Sequence, residues 1–237
     1  MKEKLIIQGN VTKVKSESRP NLRALASITL GGIRIDNIRV EERGQDKKYL
    51  FADLPTRKGQ NKEGENTYYD LISFYPGDEH KASKLKRAIQ NAIIKAYEGQ
   101  ERTTKVEKET DFEIDKEKVK AYINPVKSEK IKGAGTIYYG DILSIKPVYL
   151  KEIENKETGN KANVINLEAR KDKDGNYKEI VYPIETGLRA KMINACEDSY
   201  EKHLEQSQEN SENYDAEESE FYKELDELES QEQGEEI

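Results

Sequence analysis

The chain has 237 residues, of which 34% are hydrophobic and 37% charged, with one cysteine, two histidines and a formal net charge of −7. That length allows one large domain or two small ones, with thin cores beneath a heavily charged surface. The composition excludes an intramolecular disulfide, fits a reducing cytosol, and supplies little for a histidine-based metal site or triad.

No apolar run approaches the ~20 residues of a membrane span, and the run at residues 5–7 is too short for a signal peptide. A cytoplasmic protein without membrane contact is expected. The charge is unevenly placed. Residues 204–237 hold 14 Asp and Glu and one Lys, a balance of −13 that leaves +6 on residues 1–203. A mildly basic body joined to an acidic tail behaves differently from a uniformly acidic protein.

In chain order, Leu5, Ile6, Ile7, Val11 and Val14 suit an opening strand. From Leu22 to Leu30, period two puts Ala24, Ala26, Ile28 and Leu30 on one face. Gly31-Gly32 then turns the chain into a strand with Ile33, Ile35, Ile38 and Val40, predicting an antiparallel hairpin. A polar loop follows, and Tyr49 to Leu54 returns as a strand ending at the basic segment Leu54-Pro55-Thr56-Arg57-Lys58-Gly59. A polar loop leads on to a strand through Tyr69, Leu71 and Ile72. After Pro76 the period changes. Ala82, Leu85, Ile89, Ala92, Ile93 and Ala96 mark a helix, with Asp78 as N-cap, Gly99 as its end and a basic outer stripe of Lys84, Lys86, Arg87 and Lys95.

Residues 100–117 are charged and read as a linker. The same order of elements then repeats. Val119 to Ile123 is an opening strand, Gly133 to Tyr139 matches Leu25 to Leu30, and Gly140-Asp141 matches Gly31-Gly32. Residues 167–184 read as one hairpin, with Arg170 and Lys171 beside an Asp174-Gly175 turn. A helix follows, with Leu188, Met192, Ala195, Cys196 and Ser199 on one face and Thr186 as cap. Aligning Leu85 with Leu188 also aligns Asn91 with Asn194, Ala92 with Ala195 and Tyr97 with Tyr200, which argues for internal duplication. The expected fold is α+β: two copies of a small antiparallel sheet with one C-terminal helix each (residues 1–99 and 118–203), followed by a disordered acidic tail (204–237). Phe221, Tyr222, Leu225 and Leu228 have helical spacing within that tail.

At Arg23 to Leu30, the Leu-Pro-Thr-Arg-Lys segment and the helix ending Lys95-Ala96-Tyr97, the chain resembles the stage V sporulation protein G (SpoVG, septation regulator) family. Residues 167–184 resemble that family's basic hairpin without a gap, although Glu168 and Ala169 stand in place of its proline and serine, and Tyr75 and Tyr182 in place of its histidine before proline. The resemblance implies dimeric pairing and binding of DNA and RNA in bacterial cytoplasm, through the basic pairs Arg57-Lys58 and Arg170-Lys171.

Arg and Lys neutralise phosphates and release counterions, which gives salt-sensitive, weakly sequence-dependent affinity. Lys62, Lys173 and Lys178 would extend the track, and Tyr68, Tyr69 and Tyr177 would stack on exposed bases. Taken without the resemblance, such loops are more often solvated hairpin tips, and tyrosines in strands more often half-buried core. Gly133-Ala134-Gly135 reads as close strand packing rather than a phosphate cradle. Cys196 reads as a small core residue and the helix stripe as a solvated face. No nucleophile motif, catalytic acid pair or metal-ligand cluster is present, so neither catalysis nor a cofactor is expected. The expected function is DNA or RNA binding that regulates by occupancy. The alternatives are a protein–protein adaptor or a mobile-element modulator of a host process. The linked copies are expected to pair as an intramolecular pseudo-dimer, hence a monomer or a weak higher oligomer.

Overall fold

The computed structural model describes residues 2–61, 63–172 and 174–209. The first half is an antiparallel meander of β1 (Lys2–Lys13), β2 (Leu22–Leu30), β3 (Ile33–Arg43) and β4 (Tyr49–Asp53). It continues through a hairpin of β5 (Thr56–Gln60) and β6 (Asn66–Asp70), then β7 (Ile72–Phe74) and α1 (Glu79–Tyr97). After β8 (Thr103–Asp115) the second half repeats the order. Its meander is β9 (Val119–Pro125), β10 (Gly133–Tyr139), β11 (Leu143–Glu154) and β12 (Lys161–Leu167). Its hairpin is β13 (Ala169–Lys171) and β14 (Tyr177–Glu179), followed by β15 (Val181–Pro183) and α2 (Leu188–Glu209). The fold is α+β, two copies of an antiparallel sheet with one helix each.

The patterning explains the elements. In β2 the apolar residues at period two, Ala24, Ala26, Ile28 and Leu30, are all buried. In β3 the buried residues are Ile33, Ile35, Ile38 and Val40. The shift from odd to even positions is absorbed by a β-bulge at Asp36-Asn37, where Asn37 has φ +59°. The second copy bulges at the equivalent place. Ile145 pairs with Ile137 and Val148 with Gly135, so Lys146 and Pro147 together stand opposite Thr136, one residue in excess. Gly135 lies where a Cβ would come within 1.8 Å of the Tyr122 carbonyl oxygen, consistent with close strand packing. Helix α1 is capped by the Asp78 side chain, which accepts from Lys81 N, and buries Leu85, Ile89, Ala92, Ile93 and Ala96. Each fully buried leucine or isoleucine contributes on the order of 1.5–3 kcal/mol. In α2, Leu188, Met192 and Cys196 are the buried stripe, and burial pushes the Cys196 thiol up to about 12.

Three boundaries differ from the sequence reading. Residues 100–117 are not a free linker, because β8 occupies most of them and pairs along the edge of β1. Its inward positions are Val106, Thr110 and Ile114, and Thr110 Oγ1 donates to the Leu5 carbonyl oxygen at 2.7 Å, where β8 bulges opposite Leu5. Lys108, which interrupts the alternating series, hid the strand. The expected tail also begins too early. Residues 204–209 continue α2, in keeping with their Leu, Glu and Gln content. Residues 210–237, with the helical spacing from Phe221 to Leu228, lie outside the described residues. The third difference decides the architecture. Residues 167–184 are not one continuous hairpin. The chain leaves β12, makes the short β13–β14 ribbon, and enters the other copy's sheet as β15.

The exchange is reciprocal. Strand β15 pairs with β3 of the first copy, Val181 opposite Ile35 and Pro183 opposite Ile33. Strand β7 pairs with β11 of the second copy, Ile72 opposite Ile145 and Phe74 opposite Leu143. The bulges position both crossings. Asp36 N donates to the Ile180 carbonyl oxygen at 2.8 Å, and Lys146 N donates to the Leu71 carbonyl oxygen at 3.1 Å. Between the halves, fully buried Tyr139 donates to the Gly31 carbonyl oxygen at 2.7 Å. The turns at Gly31 and Gly140, both at positive φ, close on Ile114 so tightly that a Cβ on either would meet its side chain within 2.5 Å. The outer edge of β9 is covered by α2, where Ile123 N donates to Ser199 Oγ and Tyr122 packs edge-on against His203. No helix among the described residues is long and apolar enough to cross a membrane.

Candidate nucleic-acid interface

The strand exchange brings the two basic hairpins together. Arg170 Nη2, on β13, donates to the carbonyl oxygen of Thr56, on β5, at 2.9 Å. The hairpins are built alike from the same loop chemistry. In the first, Asn61 Oδ1 accepts from the N–H groups of Glu63 and Glu65, and Gly64 has φ +76°. In the second, Asp172 Oδ1 accepts from the N–H groups of Asp174 and Asn176, and Gly175 has φ +82°. An Asx side chain bonding forward to the backbone, followed by a left-handed glycine, closes each loop. The Lys178 ammonium at 2.8 Å, with those N–H donors, holds the Asp172 carboxyl below its ordinary value. The first hairpin is longer by the pairs Gly59–Thr67 and Gln60–Asn66, which adds two residues to each strand and preserves which face every side chain takes.

That alternation splits each basic pair. Residues directly opposite across an antiparallel ribbon share a face, and neighbours along a strand do not. Arg57 pairs with Tyr69 and Lys58 with Tyr68, while Arg170 pairs with Lys178 and Lys171 with Tyr177. Lys58 and Tyr68 are exposed, whereas Arg57 and Tyr69 are half-buried. The Arg57 guanidinium lies 5.6 Å from the Tyr69 ring centroid, and the Lys171 ammonium 5.2 Å from that of Tyr177. Tyr69 is further fixed by donating to the Gln60 carbonyl oxygen at 2.6 Å.

Glu168 occupies the position that Pro55 has in the first hairpin. The Ile180 N–H donates to the Glu168 carbonyl oxygen, and the Leu71 N–H to that of Pro55. Burial pushes the Glu168 carboxyl above its ordinary value, against the opposing pull of Arg57 and Arg170. Both arginines are therefore drawn to a half-buried carboxylate where the hairpins meet; Arg57 is half-buried there, whereas Arg170 is exposed, as are Lys58 and Lys171. Lys178 is engaged by Asp172. Lys62 and Lys173 lie outside the described residues. The stripe on α1 is one-sided. Lys84, Arg87 and Lys95 are exposed, and Lys86 lies 4.0 Å from Asp70 at the base of the first hairpin, while Asp198 on α2 takes the position of Lys95. The sequence reading set Glu168 beside Arg170 and Lys171 but missed its electrostatic pull on Arg57 of the other hairpin, whose signal was a carboxylate in place of the first copy's proline.

The chain is 34% identical over 84 residues to the septation protein SpoVG of Myxococcus xanthus (strain DK1622), a match that covers 79% of that protein and 35% of this chain. It belongs to the SpoVG family. Neither a family model nor a solved structure matches the chain. The matched length is about that of one sheet-and-helix copy, so the SpoVG unit accounts for one half of the described fold, and the repeated element order for the other.

Proposed function

We propose that this SpoVG-family chain is a cytoplasmic, non-catalytic regulator that binds DNA or RNA through its paired hairpins and acts by occupancy. The observation that carries this reading is the Arg170–Thr56 contact, which sets two equivalent basic ribbons side by side on one chain. Lys58 and Lys171, exposed on matching positions, supply charge to phosphates, and Arg57 and Arg170 reinforce it from the junction. Binding of this kind gains free energy from released counterions and weakens steeply with salt.

The reciprocal pairing of β7 with β11 and β15 with β3 supports a further part of the reading, that one chain does what two single-copy chains would do as a dimer. The test is titration of labelled single- and double-stranded DNA and RNA with the full chain at rising salt. Steep loss of affinity supports phosphate contact. Absence of binding at low salt favours an adaptor that docks an acidic protein.

A further inference from the structure

Tyr68 and Tyr177 are 70% and 65% exposed, more than any other large apolar or aromatic side chain among the described residues. They belong to hairpins of different length and loop sequence, yet each stands directly opposite the lysine of its basic pair, Tyr68 across from Lys58 and Tyr177 across from Lys171. Other positions of the two ribbons have diverged: Tyr69 corresponds to Lys178, and Pro55 to Glu168. What both retain is an aromatic ring and an ammonium side by side on the outward face. An aromatic ring so placed contributes little to the core, because most of its surface stays exposed.

We propose that Tyr68 and Tyr177 are stacking platforms for unpaired bases, which makes single-stranded nucleic acid the preferred ligand of the paired hairpins. This rests on the reading of the hairpins as a nucleic-acid interface and adds its ligand class. Base and phosphate alternate along a single strand, and each ribbon offers one group for each: the ring for a base face, the adjacent lysine for a phosphate. In a duplex the base faces are already stacked on one another and closed to a side chain, so only the lysines and arginines would engage it. The platforms come from both halves, which the Arg170–Thr56 hydrogen bond holds together, so two bases of one strand are captured at once.

The experiment measures fluorescence anisotropy of a labelled random-sequence oligonucleotide, single-stranded and annealed to its complement, with the full chain at low salt. Wild type, Tyr68→Ala/Tyr177→Ala and Tyr68→Phe/Tyr177→Phe are compared. The expected result is tighter binding of the single strand, a loss of roughly 10-fold or more per tyrosine in the alanine variant, and retention in the phenylalanine variant. Duplex affinity and the salt slope should stay unchanged in all three. Equal affinity for single strand and duplex, with no loss in the alanine variant, overturns the stacking sites but leaves phosphate binding intact. No binding of either probe by wild type overturns both.

Discussion

Arg170 and Thr56 are 114 residues apart, yet the Arg170 guanidinium donates to the Thr56 carbonyl oxygen at 2.9 Å. The contact exists because each half of the chain finishes the other's sheet, so the ribbon that precedes each crossing strand is delivered to the same place. Glu168 sits at this junction with Arg57 and Arg170. Its position makes the junction partly self-neutralised.

The first prediction follows from that carboxylate. Its folded-state pKa is raised by burial above the ordinary value of 4.5. A raised carboxyl contributes stability only while protonated in both states, and that contribution is lost as pH rises from about 4.5 through the folded value. Glu168→Gln removes the ionisation. It should raise the melting temperature at pH 7, with the gain shrinking as pH falls toward 4. It should also tighten nucleic-acid binding, by freeing the two arginines from a competing anion. Thermal melts at several pH values check the first effect. A melting temperature at pH 7 that is unchanged or lower would show that the carboxylate is held by its arginines more strongly than it is penalised by burial.

The second prediction concerns assembly. With β7 and β15 exchanged within one chain, no second chain is needed to complete either sheet. Light scattering at micromolar concentration should return the mass of one chain, 27.3 kDa. A tight dimer would mean that copies pair between chains instead.

The third prediction concerns the junction of the halves. Tyr139→Phe keeps the ring in its buried site and removes the hydroxyl that donates to the Gly31 carbonyl oxygen. Loss of a buried hydrogen bond costs about 1–3 kcal/mol. Urea denaturation should show a lower midpoint with an unchanged slope. An unaltered midpoint would mean that the carbonyl finds another donor at no cost.

Much of the fold was legible because its strands alternate cleanly and its helices carry a single apolar stripe. The face of β2, the Asp78 cap and the α1 core follow directly from residue spacing. The shift from Ile33 and Ile35 to Ile38 and Val40 was read as one plain strand, though it held the signal of the bulge, since period two cannot change parity without an extra residue. Strand β8 was obscured by Lys108, which interrupts the series Thr104, Val106, Thr110, Phe112 and Ile114. The crossing of β7 and β15 was not readable, because a three-residue strand carries no mark of which sheet it joins. For the interface, the chemistry of Arg57, Lys58, Arg170 and Lys171 could be named from the sequence, but their division between two faces needed the register. The shared loop, Asn61 to Glu65 and Asp172 to Asn176, was present as Asn/Asp-Lys-Glu/Asp-Gly-Glu/Asn and could have been found by aligning the two glycines.

The central claim is that the paired hairpins bind nucleic acid through phosphate contacts. Its most direct measurement is affinity for a labelled oligonucleotide against salt concentration, comparing wild type with Lys58→Ala/Lys171→Ala and with the quadruple variant that also carries Arg57→Ala and Arg170→Ala. The outward lysines should account for most of the loss, with the salt slope falling by about one unit for each phosphate contact removed. The quadruple variant should bind weakly at every salt concentration. A quadruple variant that remains folded and binds as tightly as wild type, with the same slope, would contradict the account.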